Sequence, residues 1–402
     1  MHKLDLDSLR EALNELVEKE LGEAQKLRES LHQNPCLSGQ EGPATKRLAD
    51  EIPSDFSVVA DTGGIGRIGP EGAAVAVRAE MDALPGTENT GASFASTNGA
   101  MHACGHDVHQ AALVAFTRAA GKLELPFAIV PFMQPREETY PSGAYDFMES
   151  RVFETEDVAV VIGAHVHPRI AVGATATGTA PINAAADECR IEVQGEGGHG
   201  AYPHEAKNPI TVLAQILVGI PEVVRRTISP MNPATISFGK IGGGEAANVI
   251  PASAHALATL RTMTEADRQT IREAITHYVV LQAESFGVEA RVTFTSGEPV
   301  LENDPELVPY IDMQLQKLGI EVSQPMRSLG ADDFSFYGEK YPSVMAFVGV
   351  ETAGADPQPS LHSPEFLPSP RAVADVAKTL VAAYVGACGY LLNRGKEVGD
   401  TP

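Results

Sequence analysis

Three short apolar, β-branched runs stand out in the first half of the chain: "AAVAVRAE" (73–80), "FAIVPFMQ" (127–134) and "VAVVIGAH" (158–165). Segments with helical spacing, such as "DVHQAALVAFTRAAGKL" (107–123), separate them. Apolar runs of this length without polar alternation predict strands buried on both faces of a mostly parallel sheet. Each run leads into reactive side chains. The first precedes Glu80 and Asp82, the second Glu137 and Glu138, and the third ends at His165. In open α/β sheets ligands collect beyond the carboxyl ends of the strands. Acids and a histidine delivered to one edge therefore suggest a site.

From about residue 185 the pattern changes. "DECRIEVQG" alternates like a half-buried strand, "NPITVLAQILVGIPEVV" has helical periodicity, and "ATISFGKI" and "ASAHALATLRT" read as two more strands. A long helix, "TEADRQTIREAITHYVVLQAESF", and a last strand, "EARVTFTSG", follow. The order βαββαβ is the ferredoxin-like split arrangement. It predicts an inserted α+β domain over 185–293, between the two parts of an α/β domain at 1–184 and 294–402. The second part contains the strand-like "PSVMAFVGV" and a terminal helix near "RAVADVAKTLVAAYVGACGYLL".

The length of 402 residues, beyond the usual size of one hydrophobic core, agrees with several domains. A net charge of −23 argues against nucleic-acid binding, which needs a basic surface. "MHKLDLDSLREALNELVEKE" reads as a charged amphipathic helix rather than a secretory signal. No uninterrupted apolar run approaches the roughly 18–20 residues of a membrane span, so no membrane association is expected. Four irregularly spaced cysteines fit a reducing cytoplasm better than a disulfide framework.

The densest chemistry lies in "MHACGHDVHQ" (101–110). Cys104 and His106 are two apart, so they can share a ligand only from a turn, which Gly105 permits. A helix starting there would set its positive end beside the cysteine and favour thiolate. Asp107 is a candidate partner for the second ring nitrogen of a ligating histidine. A metal centre, a nucleophilic Cys/His pair and inert packing of a buried cysteine all remain open on this stretch alone. Glu137 and Glu138 cannot easily both ionise without a nearby positive charge, which suggests one ligand and one proton carrier. "GAHVHP" puts His165 and His167 at a strand end, and "SLHSPEF" puts His362 in a proline-flanked loop.

Taken in order, "RAEMDALP", "MHACGHDVH", "QPREE", "GAHVHP", "GGHGAYPHEAKNPI", "GGEAANVIP", "LGADDFSFY" and "LHSPEF" resemble the M20-type metallo-aminoacylases, over about residues 28–370. The resemblance is to the branch with hippurate hydrolases, N-acyl-amino-acid amidohydrolases and auxin-conjugate hydrolases. It implies a zinc-peptidase-like α/β catalytic domain carrying a ferredoxin-like lid that dimerises. It also implies two divalent ions per subunit, zinc or manganese with cobalt or nickel as alternatives, held by Cys104, His106, Glu138, His165 and His362. Glu137 falls at the general base. Asp82 and Asp107 would support ligands. His199 falls at a histidine that reaches the other subunit as an oxyanion donor, and Asn248 and Arg261 at positions that hold substrate.

The implied reaction is hydrolysis of an N-acyl amino acid or dipeptide-like amide by a cytoplasmic homodimer. Dipeptidase, N-carbamoyl hydrolase and N-acetyldiaminopimelate-type deacetylase are alternatives within the scaffold. A non-catalytic binding protein and a Cys104-nucleophile enzyme are alternatives outside it. Three departures bear on substrate choice: Glu80 where many relatives have aspartate, Arg136 where a small residue is common, and "TYPSGA" (139–144) in place of a glycine-richer run. Arg136 could lower the pKa of the adjacent glutamates or read an acidic substrate group.

Overall fold

The computed structural model describes residues 5–399. They pack as two compact units, one of residues 5–180, 302–326 and 336–399, the other of 181–301 and 327–335.

In the first unit eight strands form one sheet: β1 (Phe56–Val59), β2 (Gly63–Gly66), β3 (Ala74–Glu80), β4 (Ala128–Gln134), β5 (Val158–His167), β6 (Ala174–Ala176), β7 (Glu321–Val322) and β8 (Ser343–Gly349). Their spatial order is β1-β2-β4-β3-β5-β8-β6-β7. The central strands β4, β3, β5 and β8 run parallel, while β1/β2, β2/β4 and β8/β6 are antiparallel. All seven residues of β3, β4 and β8 are buried, which is why these strands read as continuous apolar runs. β3 pairs with β4 from Ala74↔Ala128 to Glu80↔Gln134, and β8 with β5 from Ser343↔Val161 to Gly349↔His167. Parallel pairing thus carries the carboxyl ends of four strands to one edge.

Three long helices pack into the core, and Gly42–Glu51 and Val308–Lys317 add Leu48 and Ile311 to it. In α1 (Leu6–Gln33), Leu13, Val17, Ala24, Leu27 and Leu31 recur at helical spacing and are buried, and Asp5 caps its first turn. In α2 (His106–Ala120) all residues but Arg118 are buried. α3 (Arg371–Gly399) is, over Arg371–Gly395, long and apolar enough to cross a membrane, although Asp375 and Lys378 interrupt its apolar run. Most of that length is instead buried in the protein core, which accounts for its composition.

In the second unit Ala185–Gln194, Ala234–Gly243, Ser253–Thr262 and Glu289–Ser296 form an antiparallel sheet, with Ala234–Gly243 and Glu289–Ser296 at its edges. The helices Pro209–Thr227 and Glu265–Ser285 pack their apolar stripes, including Ile216, Ile220, Ile271 and Ile275, into a core with Ile191 and Leu260 of the sheet. Their N-caps are Asn208 and Thr264. The element order is βαββαβ. An insert ending at residue 293 would cut the last strand, which runs to Ser296, and the unit extends to 301. It also takes in 327–335, where Ser328 bridges to Asn183.

Candidate metal centre and active site

Gly105 precedes the first residue of α2 with φ +82°, and a side chain there would collide with Val166 of β5. Only glycine suits this left-handed turn and close approach. The turn leaves Cys104 just outside the helix and His106 at its first position, both buried. Cys104 Sγ lies 3.5 Å from Nε2 of His165, near the end of β5.

Two of the histidines have their tautomers set by neighbours. His106 Nδ1 donates to the carbonyl of Asp82 at 2.8 Å, and His165 Nδ1 donates to the carbonyl of Val166 at 2.8 Å. Each proton is thereby fixed on Nδ1, which leaves Nε2 with its lone pair. His106 Nε2 is buried with no hydrogen-bond partner, 3.9 Å from Glu137 Oε2. On the far side, His362 Nε2 meets Glu138 Oε1 at 3.2 Å. His362 sits at φ +66°, a conformation uncommon for histidine, and its amide donates to the carbonyl of Ala103 at 2.9 Å.

Candidate ligand atoms of Cys104, Glu138 and His362 lie within 4.8 Å of one another, as do those of His106, Glu137 and Glu138. The two groups share Glu138. Thiol, imidazole and carboxylate together suit zinc and its neighbours, and the orphaned Nε2 of His106 is the kind of buried atom that a cation would satisfy. The residues therefore fit metal binding.

The electrostatics point the same way. Burial, then Glu138, Glu137 and Glu80, push the Cys104 thiol well above its ordinary range. The helix-terminus expectation of a thiolate is thus reversed in the protein alone, because burial, joined by three carboxylates, opposes the charge. Burial works against protonation of His106, yet Asp82, Glu80 and Glu138 push it up to about 9. Burial and the neighbouring His109 hold His165 well below its ordinary value. The pocket carries surplus negative charge that a cation would neutralise.

Asp82 braces this site. Its Oδ2 accepts from Ser38 Oγ at 2.7 Å and from the Glu138 amide at 2.9 Å, and its Oδ1 is 3.5 Å from His106 Nδ1. Asp107, by contrast, touches no candidate ligand. One position along α2 from His106, it faces α1 and accepts from Arg28 Nε at 2.9 Å and His32 Nδ1 at 3.0 Å. Arg136 also turns away from the glutamates, to Asp146 and the carbonyl of Ala60.

The sequence reading gave no role to His109 and did not connect it with Glu80. His109 Nδ1 donates to Glu80 Oε2 at 2.9 Å, and Nε2 accepts the Val166 amide at 3.0 Å, so both ring nitrogens are engaged. Glu80 is also paired with Arg78 at 2.8 Å. The available signal was His109 three residues after His106, on the same face of α2. His167 is half-buried, its Nδ1 accepting the Arg169 amide at 3.2 Å.

In the second unit His199 lies in a two-residue strand, Gly198–His199, paired with Val249–Ile250. The Asn248 carbonyl accepts the Gly200 amide at 2.8 Å, which places His199 and Asn248 on neighbouring segments. Arg261 lies separately on Ser253–Thr262, its Nε donating to Thr259 Oγ1 at 3.2 Å.

A parallel sheet with thiol, imidazole and carboxylate groups at its carboxyl edge defines a class, the hydrolases that work through bound metal. The profile of Peptidase family M20/M25/M40 matches residues 76–384, and the chain belongs to that family. It is 34% identical over 334 residues to the N-acetyl-L-cysteine deacetylase of Bacillus subtilis, covering 81% of this chain and 80% of that protein. It is 31% identical to the N-acetyldiaminopimelate deacetylase of Shouchella clausii, covering 89% and 96%. Among solved structures, the YXEP protein of Bacillus subtilis, a dinuclear metal binding peptidase from the M20 family, superposes with a TM-score of 0.79 at 27% identity. That match covers 92% of this chain and 98% of the other. A protein from methicillin resistant Staphylococcus aureus gives a TM-score of 0.89 at 28% identity, covering 94% and 99%. The chain is thus a metal-dependent hydrolase acting on linear amides.

Proposed function

We propose that the protein removes a short acyl group from the amino nitrogen of an amino acid, with Glu137 as general base and acid. The observation that carries this reading is the orphaned, buried Nε2 of His106 between Glu137 and the Cys104–Glu138–His362 group. Relatives that are N-acetylcysteine and N-acetyldiaminopimelate deacetylases support an acetyl or similarly small acyl group. Cys104, His106, Glu138, His165 and His362 would hold two divalent cations. Such cations acidify a water toward neutrality and polarise a carbonyl.

Glu137 is not among these five proposed ligands. Its carboxylate takes a proton from the attacking water and returns it to the nitrogen as the C–N bond breaks. Glu138 cannot share that work while it ligates a cation. Asp82 keeps the Glu138 backbone in place. A second copy of the chain would supply His199. Its Nδ1 accepts the Ala201 amide at 3.1 Å, so its proton lies on Nε2 and is available to an oxyanion. Asn248 and Arg261 would bind the substrate, with the guanidinium suited to its free carboxylate.

A Cys104-nucleophile enzyme is disfavoured, because burial and three carboxylates oppose thiolate formation. The test is Glu137→Gln assayed on a panel of N-acetyl amino acids after metal loading. Turnover should fall by about 10³-fold or more at unchanged metal content. Surviving activity would remove Glu137 from the role of base.

A further inference from the structure

Glu41 is the N-cap of the helix Gly42–Glu51, yet its side chain caps nothing. The carboxylate is instead buried without exposed surface and turned toward the loop that follows β4. Its Oε1 accepts two amides, of Gly39 and Arg136, each at 2.9 Å, and its Oε2 accepts the hydroxyl of Thr62 at 2.6 Å. Among the described residues no cation pairs with it. A buried carboxylate compensated only by neutral donors is costly, and a helix N-terminus ordinarily uses its acid on its own first turn.

Arg136 explains what the carboxylate does. It adopts φ +52° immediately before Glu137 and Glu138, in the left-handed region that a non-glycine residue rarely occupies. Three contacts hold it there. Glu41 takes its amide, the amide of Gly143 donates to its carbonyl at 3.1 Å, and its guanidinium is paired with Asp146. The turn at Arg136 sets the direction in which the next two side chains leave the backbone. Without Glu41 the amide loses its acceptor and the turn can relax to φ < 0, rotating Glu137 away from His106 Nε2.

We propose that Glu41 is a positioning residue for the reaction, a buried acceptor that locks the left-handed turn aiming Glu137. The assignment rests on Glu137 being the proton carrier. It does not involve Glu41 in contact with substrate or metal.

The experiment compares Glu41→Ala and Glu41→Gln with Glu137→Gln. Glutamine keeps an oxygen for both amides and can donate its NH2 to Thr62 Oγ, so its geometry survives while its charge does not. In metal-loaded protein Glu41→Ala should lower kcat by about 10²-fold, the scale of a misplacement near 1 Å, with KM within about threefold. Glu41→Gln should recover kcat to within about threefold of the parent. In metal-free protein, hydrogen exchange of the peptide spanning 134–139 should quicken about tenfold in Glu41→Ala and stay near the parent rate in Glu41→Gln. Should Glu41→Ala fail to fold, Glu41→Gln carries the test alone: parental kcat and parental exchange support the role, and a large loss in either overturns it. A folded Glu41→Ala with parental kcat and exchange also overturns it. Turnover surviving in Glu137→Gln would overturn the base assignment instead, a separate and recognisable outcome.

Discussion

His32 lies between two carboxylates, its Nδ1 3.0 Å from Asp107 Oδ2 and its Nε2 3.0 Å from Glu88 Oε1, all of them buried. Burial alone would discharge the imidazole, but Asp107 and Glu88 outweigh it and raise its pKa above the ordinary 6.5. A group whose folded pKa is raised contributes stability that is fully present below its unfolded pKa and is lost as pH rises through the folded value. The difference in melting temperature between the parent and His32→Gln should therefore be widest below about pH 6.5 and shrink as the solution becomes alkaline. A difference that does not vary with pH would mean that folding leaves the proton affinity of His32 unchanged. Such contacts are the least legible part of the site. Nothing local in "RESLHQ" signals that Arg28 and His32 meet a residue 79 and 75 positions later. Asp107 was therefore assigned to a neighbouring ligand, when its place on α2 turns it toward α1.

At the scale of the element, the turn into α2 depends on one glycine. Gly105→Ala must accept φ +82° and push Val166 aside. A left-handed alanine and an overpacked contact together should cost at least about 2 kcal/mol. Urea unfolding of the metal-free protein measures this, and zinc stoichiometry should fall in parallel because Cys104 and His106 flank the turn. Unchanged stability with full zinc content would mean that the turn tolerates other conformations. The strands around this turn were readable in advance, because β3, β4 and β5 are buried along nearly their whole length and leave no polar alternation. The terminal helix α3 was legible as well, and its burial gives it a composition that a membrane span would share. The end of the insert was misplaced. Glu289–Ser296 is legible as the last strand but runs past the boundary set at 293, and the later return of 327–335 rests on a backbone bridge between Ser328 and Asn183 that no periodicity announces.

At the scale of the whole molecule, the open edge of the inserted unit's sheet argues for a second copy. The strand Ala234–Gly243 pairs with Ser253–Thr262 on one side, and among the described residues no strand pairs with its other side. Ile241 on this strand and Val218 on the helix Pro209–Thr227 are 66% and 82% exposed. An apolar open edge invites pairing, and two identical Ala234–Gly243 edges meeting about a two-fold axis would close each other. If that dimer forms and His199 serves the partner's site, Glu137→Gln and His199→Ala homodimers are each inactive for different reasons. In a mixed dimer the His199→Ala subunit keeps Glu137 and receives His199 from its neighbour. The other site lacks its base. Equal mixing with free exchange makes half of the dimers mixed, each with one complete site of two, so about a quarter of parental activity should return. Subunit exchange is followed independently by native mass spectrometry of a tagged partner. Mixed dimers that form in that proportion yet remain inactive would refute a histidine donated across the dimer, while full exchange with a quarter of the activity could not arise from His199 acting within its own subunit.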